Sequence, residues 1–169
     1  MINKIGSNII RFIFLAIFQI AILNNIDLGG YLSPFLYILC IILLPFETPK
    51  WLILVSAFFM GITIDIFSDT IGLHAFSSVF IAFARPSILH SFAPHDGYNT
   101  GSTPLTNSYG LSWFFRYSAL MTIIHSLIFF YIEAFSFQFF FSTLWKAILS
   151  SAFTLILIIL TRLLTVKRQ

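Results

Sequence analysis

Residues 61–86, GITIDIFSDTIGLHAFSSVFIAFARP, join two hydrophobic runs through a short polar turn, and their reading decides the fold. At helical spacing Gly61, Asp65, Ser68, Asp69 and Gly72 share one stripe, because residues three and four apart lie on the same helix face. Asp65 is the residue hardest to reconcile with an apolar setting. A carboxylate at the middle of a bilayer helix costs roughly 2.5–3.5 kcal/mol on insertion scales. Two explanations stand: a polar anchor for a partner or neighbouring helix, or an acid reaching the outer headgroup layer. Gly61 and Gly72 are suited to close helix approach, and Gly72 is equally suited to a turn.

The setting is a membrane protein. The chain is 59% hydrophobic and 9% charged, with a mean hydropathy of +0.97, against roughly 25% charged residues in an average soluble domain. Spans of about 20 residues each allow about six crossings in 169 residues, which leaves no room for a separate catalytic head. The expected fold is therefore all-α, a single compact bundle of about six transmembrane helices. The runs are 9–23, 31–46, 51–67, 72–92, 111–135 and 140–164. The second is short enough to be re-entrant. The N-terminal run lacks a small-x-small cleavage pattern and is kept as an uncleaved first span. Residues 93–110, rich in Gly, Ser, Thr, Asn and Pro, are expected to form a solvated cytoplasmic loop.

With six spans and both termini cytoplasmic, Lys4, Arg11, Lys50, Arg85, Arg116, Arg162, Lys167 and Arg168 fall on or near the cytoplasmic side, and only Lys146 lies elsewhere. That distribution satisfies the positive-inside rule, so the charge of +3 reports topology rather than nucleic-acid binding. Asp27, Asp65, Asp69 and Glu133 approach the outer side. Trp51 and Trp113 then mark inner ends of runs, and Tyr31 and Trp145 outer ends. Arg85 and Arg116 are expected to touch headgroups or a cytoplasmic partner. Asp69 is expected in the turn as a solvated acid or cap. The 22 phenylalanines are expected chiefly as lipid-facing bulk.

Chemistry is sparse. His74, His90, His95 and His125 have no HExxH or related spacing, and the lone Cys40 can form neither an intramolecular disulfide nor a cysteine-based zinc site. No metal or cofactor is expected. Nucleophile-elbow, P-loop and dinucleotide motifs are lacking as well, so a non-catalytic protein is expected.

The pattern Gly-x-x-x-Asp-x-x-x-x-x-x-Gly-Leu-His-Ala over Gly61 to Ala75 resembles the signature stretch of the MreD family of rod shape-determining membrane proteins. Leu44-Pro45-Phe46-Glu47-Thr48-Pro49-Lys50-Trp51, Ala82-Phe83-Ala84-Arg85-Pro86 and Asp96-Gly97-Tyr98 resemble its Bacteroidetes-like form. Gly61, Asp65 and Gly72 match the family motif, and Asp69 lies in its variable interval. The resemblance implies a non-catalytic subunit of the inner membrane that binds MreC and works with MreB, the glycosyltransferase RodA and a transpeptidase in lateral peptidoglycan synthesis. The family is similar in architecture to the S components of vitamin transporters, which implies a rival function: a small-molecule-binding membrane subunit.

Overall fold

A computed structural model describes residues 2–25, 32–99, 101–104, 109–135 and 139–166. The expectations for Asp27, Tyr31, Lys167 and Arg168 lie outside the described residues, as does the side chain of Lys4. The described residues form an all-helical fold of six α-helices: α1 (Ile2–Ala21), α2 (Leu39–Ile42), α3 (Lys50–Ser68), α4 (Leu73–Ser91), α5 (Leu111–Ala134) and α6 (Phe140–Val166). Single 3-10 turns at Leu23–Asn25 and Leu36–Ile38 follow α1 and precede α2. Among the described residues, α1 (with the turn that follows it), α3, α5 and α6 are long and apolar enough to cross a membrane. The fourth helix matches α3 in length, 19 residues, or about 28 Å at 1.5 Å per residue, but carries Arg85, two histidines and four serines.

Backbone signals set the ends of these helices. Pro49 caps α3 from outside, where its missing N–H costs nothing. Asp69, in the left-handed region at φ 53°, stops α3. Gly72 at φ 76° then launches α4, a value that favours glycine. The resulting α3–α4 hairpin and the α5–α6 hairpin are the two most extensive helix pairs, α4 packs on α5, and α1 lies across α3 and the central segment.

The second hydrophobic run departs from its expected form. Instead of one helix over 31–46, residues 32–35 are non-helical, and the 3-10 turn and α2 supply only seven helical residues. Residues 34–44 are all buried. An irregular backbone at membrane depth is tolerated only where protein or water surrounds it, so this segment became the axis of the bundle rather than a lipid-facing span.

Around that axis the bundle is apolar outside as well as inside. Ile10, Phe14, Phe59, Phe83 and Phe141 are all more than half exposed. Such a surface is inconsistent with water but suited to lipid, and it gives most of the phenylalanine excess its physical place. Phe35, Phe114, Phe129 and Phe130 are the buried exceptions.

Candidate functional site

Asp65 occupies the joint of the α3–α4 hairpin. It is 3% exposed, and its carboxylate accepts hydrogen bonds from the backbone N–H of His74 at 3.0 Å, the N–H of Ala75 at 2.9 Å and the Thr70 hydroxyl at 2.6 Å. Two of these donors belong to the first turn of α4, where N–H groups lack intrahelical partners and the helix dipole favours an anion. Asp65 thus caps the neighbouring helix from inside the protein, and does not reach a headgroup layer. One turn earlier, Gly61 lies directly against the same turn: an added Cβ would sit 2.6 Å from both Ala75 N and His74 O, with Ala75 Cα nearer still. Gly61 is the close-approach glycine. Gly72 is not, since a Cβ there would meet nothing within 4 Å; its contribution is the positive φ of the turn. Asp69 is exposed in that turn.

The central segment accounts for several of the buried polar side chains. Gln19 of α1 donates from Nε2 to Pro34 O at 2.7 Å and accepts Tyr37 N–H at 3.4 Å through Oε1. From α6, Ser150 Oγ accepts Ser33 N–H at 3.1 Å and Thr154 Oγ1 accepts Phe35 N–H at 2.9 Å. At the other end, Arg85 of α4 donates from Nη2 to Leu44 O and from Nε to the Tyr117 hydroxyl at 3.1 Å, while Tyr117 of α5 donates to Ile42 O at 3.4 Å. Four helices therefore supply the bonds that a broken helix cannot make for itself. Arg85 is 1% exposed, which corrects its expected headgroup role: it turns inward and bonds the Leu44 carbonyl just beyond α2. Arg116 is exposed, with Nε donating to Ser112 O at 3.4 Å, a position open to lipid or partner contact.

The same axis carries a hydrogen-bonded chain that sequence spacing does not reveal. The buried Tyr37 hydroxyl lies 3.1 Å from His74 Nδ1 and 2.7 Å from His125 Nε2. Phe35 and Phe129 pack around both imidazoles, with the Phe129 ring centroid 4.6 Å from that of His74. Among the described residues, no group of three or more His, Cys, Asp or Glu side chains is arranged to hold a metal. His125 Nδ1 is buried without a hydrogen-bond partner. The hint for this chain was the pair of apolar-run histidines, 51 positions apart in sequence, which only packing could bring to one tyrosine.

A polar cleft of about 390 Å³ opens at the end of the bundle where α1, α3 and α5 finish and α4 begins. His74, Phe35 and Phe129 line it, together with Asn24, Ser68, Asp69 and Glu133. Asn24 donates to Ser68 Oγ at 2.7 Å and accepts from Gln19 at 2.8 Å, tying the cleft wall to the central segment.

The opposite end holds an apolar groove of about 610 Å³ between α1, α3 and the turn at Pro45–Pro49. Beside it the described residues of the 93–110 connection are exposed over 93–97 and at 99, as expected of a solvated loop, but are tied to the bundle at several points. Tyr98 stacks on Phe46 at 4.1 Å and donates to Leu89 O at 2.7 Å, Trp113 Nε1 donates to Phe92 O at 2.8 Å, and Gly101 N–H donates to Glu47 Oε1 at 2.9 Å. Trp113, 7% exposed, belongs to this aromatic cluster and not to a membrane-interface belt. Burial pushes the Tyr98 phenol up to about 12, aided by the neighbouring Tyr117.

Comparison with protein-family models, curated proteins and solved structures finds no match to this chain.

Proposed function

We propose that this chain is a non-catalytic subunit of a bacterial wall-elongation assembly, similar to MreD, seated in the cytoplasmic membrane with both termini cytoplasmic. Its outer faces hold the single membrane helix of MreC, and MreB, RodA and a transpeptidase belong to the same complex. The observation that supports this reading best is the filled axis. Residues 34–44 occupy the centre of the bundle and are bonded from four helices, so the bundle is built as a braced scaffold with extended apolar faces outside. Helix association in lipid rests on packing and on polar contacts of about 0.6–2 kcal/mol each, which such faces can provide.

Photo-crosslinkers placed at the exposed Phe59 and Phe83 are expected to capture a single-span, mostly periplasmic partner in cells. Reproducible absence of MreC under conditions that preserve the complex would count against the reading. A reporter fused after Gln169 is expected to signal cytoplasm, and a periplasmic signal would overturn the orientation.

The polar cleft favours a second reading, a small-molecule-binding subunit of a transporter similar to S components. Purified protein carrying a vitamin at defined stoichiometry would select it over the first.

A further inference from the structure

The cleft at the α1, α3 and α5 ends combines features that no bracing role requires. Its volume of about 390 Å³ falls within the roughly 300–1,000 Å³ of small-ligand sites. Two carboxylates, Asp69 and Glu133, stand in its lining, and no lysine or arginine is among the described lining residues. Three aromatic rings, Phe35, Phe67 and Phe129, line it as well. His74 completes the set: Tyr37 engages its Nδ1, which leaves Nε2 as the ring nitrogen a bound molecule can reach. Aromatic faces attract cations through the ring quadrupole, and the attraction strengthens where water is partly excluded. Carboxylates add charge of the matching sign.

We infer that this cleft binds a small organic cation, a molecule bearing an ammonium group, against the exposed Phe67 ring and the carboxylates of Asp69 and Glu133. One competing cation is already present. Lys146 of α6 lies within electrostatic reach of Glu133, so a ligand ammonium shares that carboxylate with it. Removing the lysine charge should therefore tighten binding, an effect that a purely structural acid would not produce. The inference names a ligand chemistry that neither functional reading specifies, and it rests on the cleft alone.

The test uses the full chain, purified in lipid nanodiscs, with choline and putrescine as probes and 3,3-dimethylbutan-1-ol as the neutral isostere of choline. Calorimetry is expected to detect at least one cation below about 10 mM, with the neutral isostere at least tenfold weaker, the equivalent of about 1.4 kcal/mol. Glu133→Gln is expected to weaken the cation about tenfold and to leave the isostere unchanged. Lys146→Met is expected to strengthen the cation. Equal binding of cation and isostere, or binding of neither cation to wild-type protein whose thermal transition is intact, overturns the inference. So does cation affinity unaltered in both variants. These outcomes leave crosslinking to MreC, and carriage of a vitamin, as separate observations.

Discussion

Replacing Asp65 by Asn isolates the joint between α3 and α4 with almost no change in volume. The carboxylate accepts three hydrogen bonds, two from backbone N–H groups and one from Thr70. An amide retains one oxygen and substitutes an NH2 for the other. Oδ1 serves both Thr70 and His74 N–H while Oδ2 serves Ala75 N–H, so one orientation leaves Ala75 N–H facing a donor and the other leaves His74 N–H facing one and reverses the Thr70 bond. An unpaired buried donor costs about 1–3 kcal/mol, and the surviving bonds lose the charge assistance that roughly doubles their strength. The expected loss is about 2–4 kcal/mol. At about 2–4 °C per kcal/mol for a chain of this size, the thermal transition in nanodiscs should fall by about 5–15 °C. Thr70→Val removes one donor and leaves both N–H bonds in place, so it should cost less, about 1 kcal/mol. The reasoning fails if Asp65→Asn shifts the transition no more than Thr70→Val does. Under the proposed function, Asp65→Asn is also expected to lower recovery of crosslinked MreC while membrane insertion stays intact; normal recovery in a destabilised variant would restrict Asp65 to a folding role.

Three further expectations follow from the same packing. Gly61→Ala forces a methyl group onto the Ala75 and His74 backbone, which cannot swing aside as a side chain could, and should cost about 1–3 kcal/mol; combined with Asp65→Asn the losses should be non-additive, since both loosen one joint, and strict additivity in thermal unfolding would show the two residues to be independent. Arg85→Met strips the donors from Leu44 O and Tyr117 and should destabilise the bundle by about 1–3 kcal/mol, with Arg85→Lys recovering part of the loss; a transition unchanged in both variants would return Arg85 to the headgroups. Tyr98 should ionise near pH 12, measured as the phenolate absorbance lost in Tyr98→Phe. Its folded pKa lies above the unfolded value of 10.0, so the stabilisation of the loop is complete below pH 10 and disappears as pH rises through about 12; ionisation near 10 would mean that the ring is not held against Leu89 and Phe46.

Composition and periodicity were enough to establish an all-helical membrane protein, because a chain with so few charges has no other solvent than lipid, and lipid forces backbone groups to bond within helices or closed barrels. The Gly61–Asp65 stripe was legible as the place where two runs meet, but the sequence left open whether its acid anchored a neighbouring helix or reached the headgroup layer. That the acid caps α4, that Gly61 meets Ala75 while Gly72 meets nothing, and that Arg85 turns inward all depend on how the helices are placed in space. The 31–46 run was the least legible of all. Its hydrophobicity matched a span, yet its backbone is irregular, and only the tertiary structure could decide this because Gln19, Arg85, Tyr117, Ser150 and Thr154, scattered over 136 positions of sequence, supply the bonds that permit it. Local sequence determined that every segment must be satisfied; the fold alone decided which residues satisfy it, since a hydrogen bond between distant residues has no local signature.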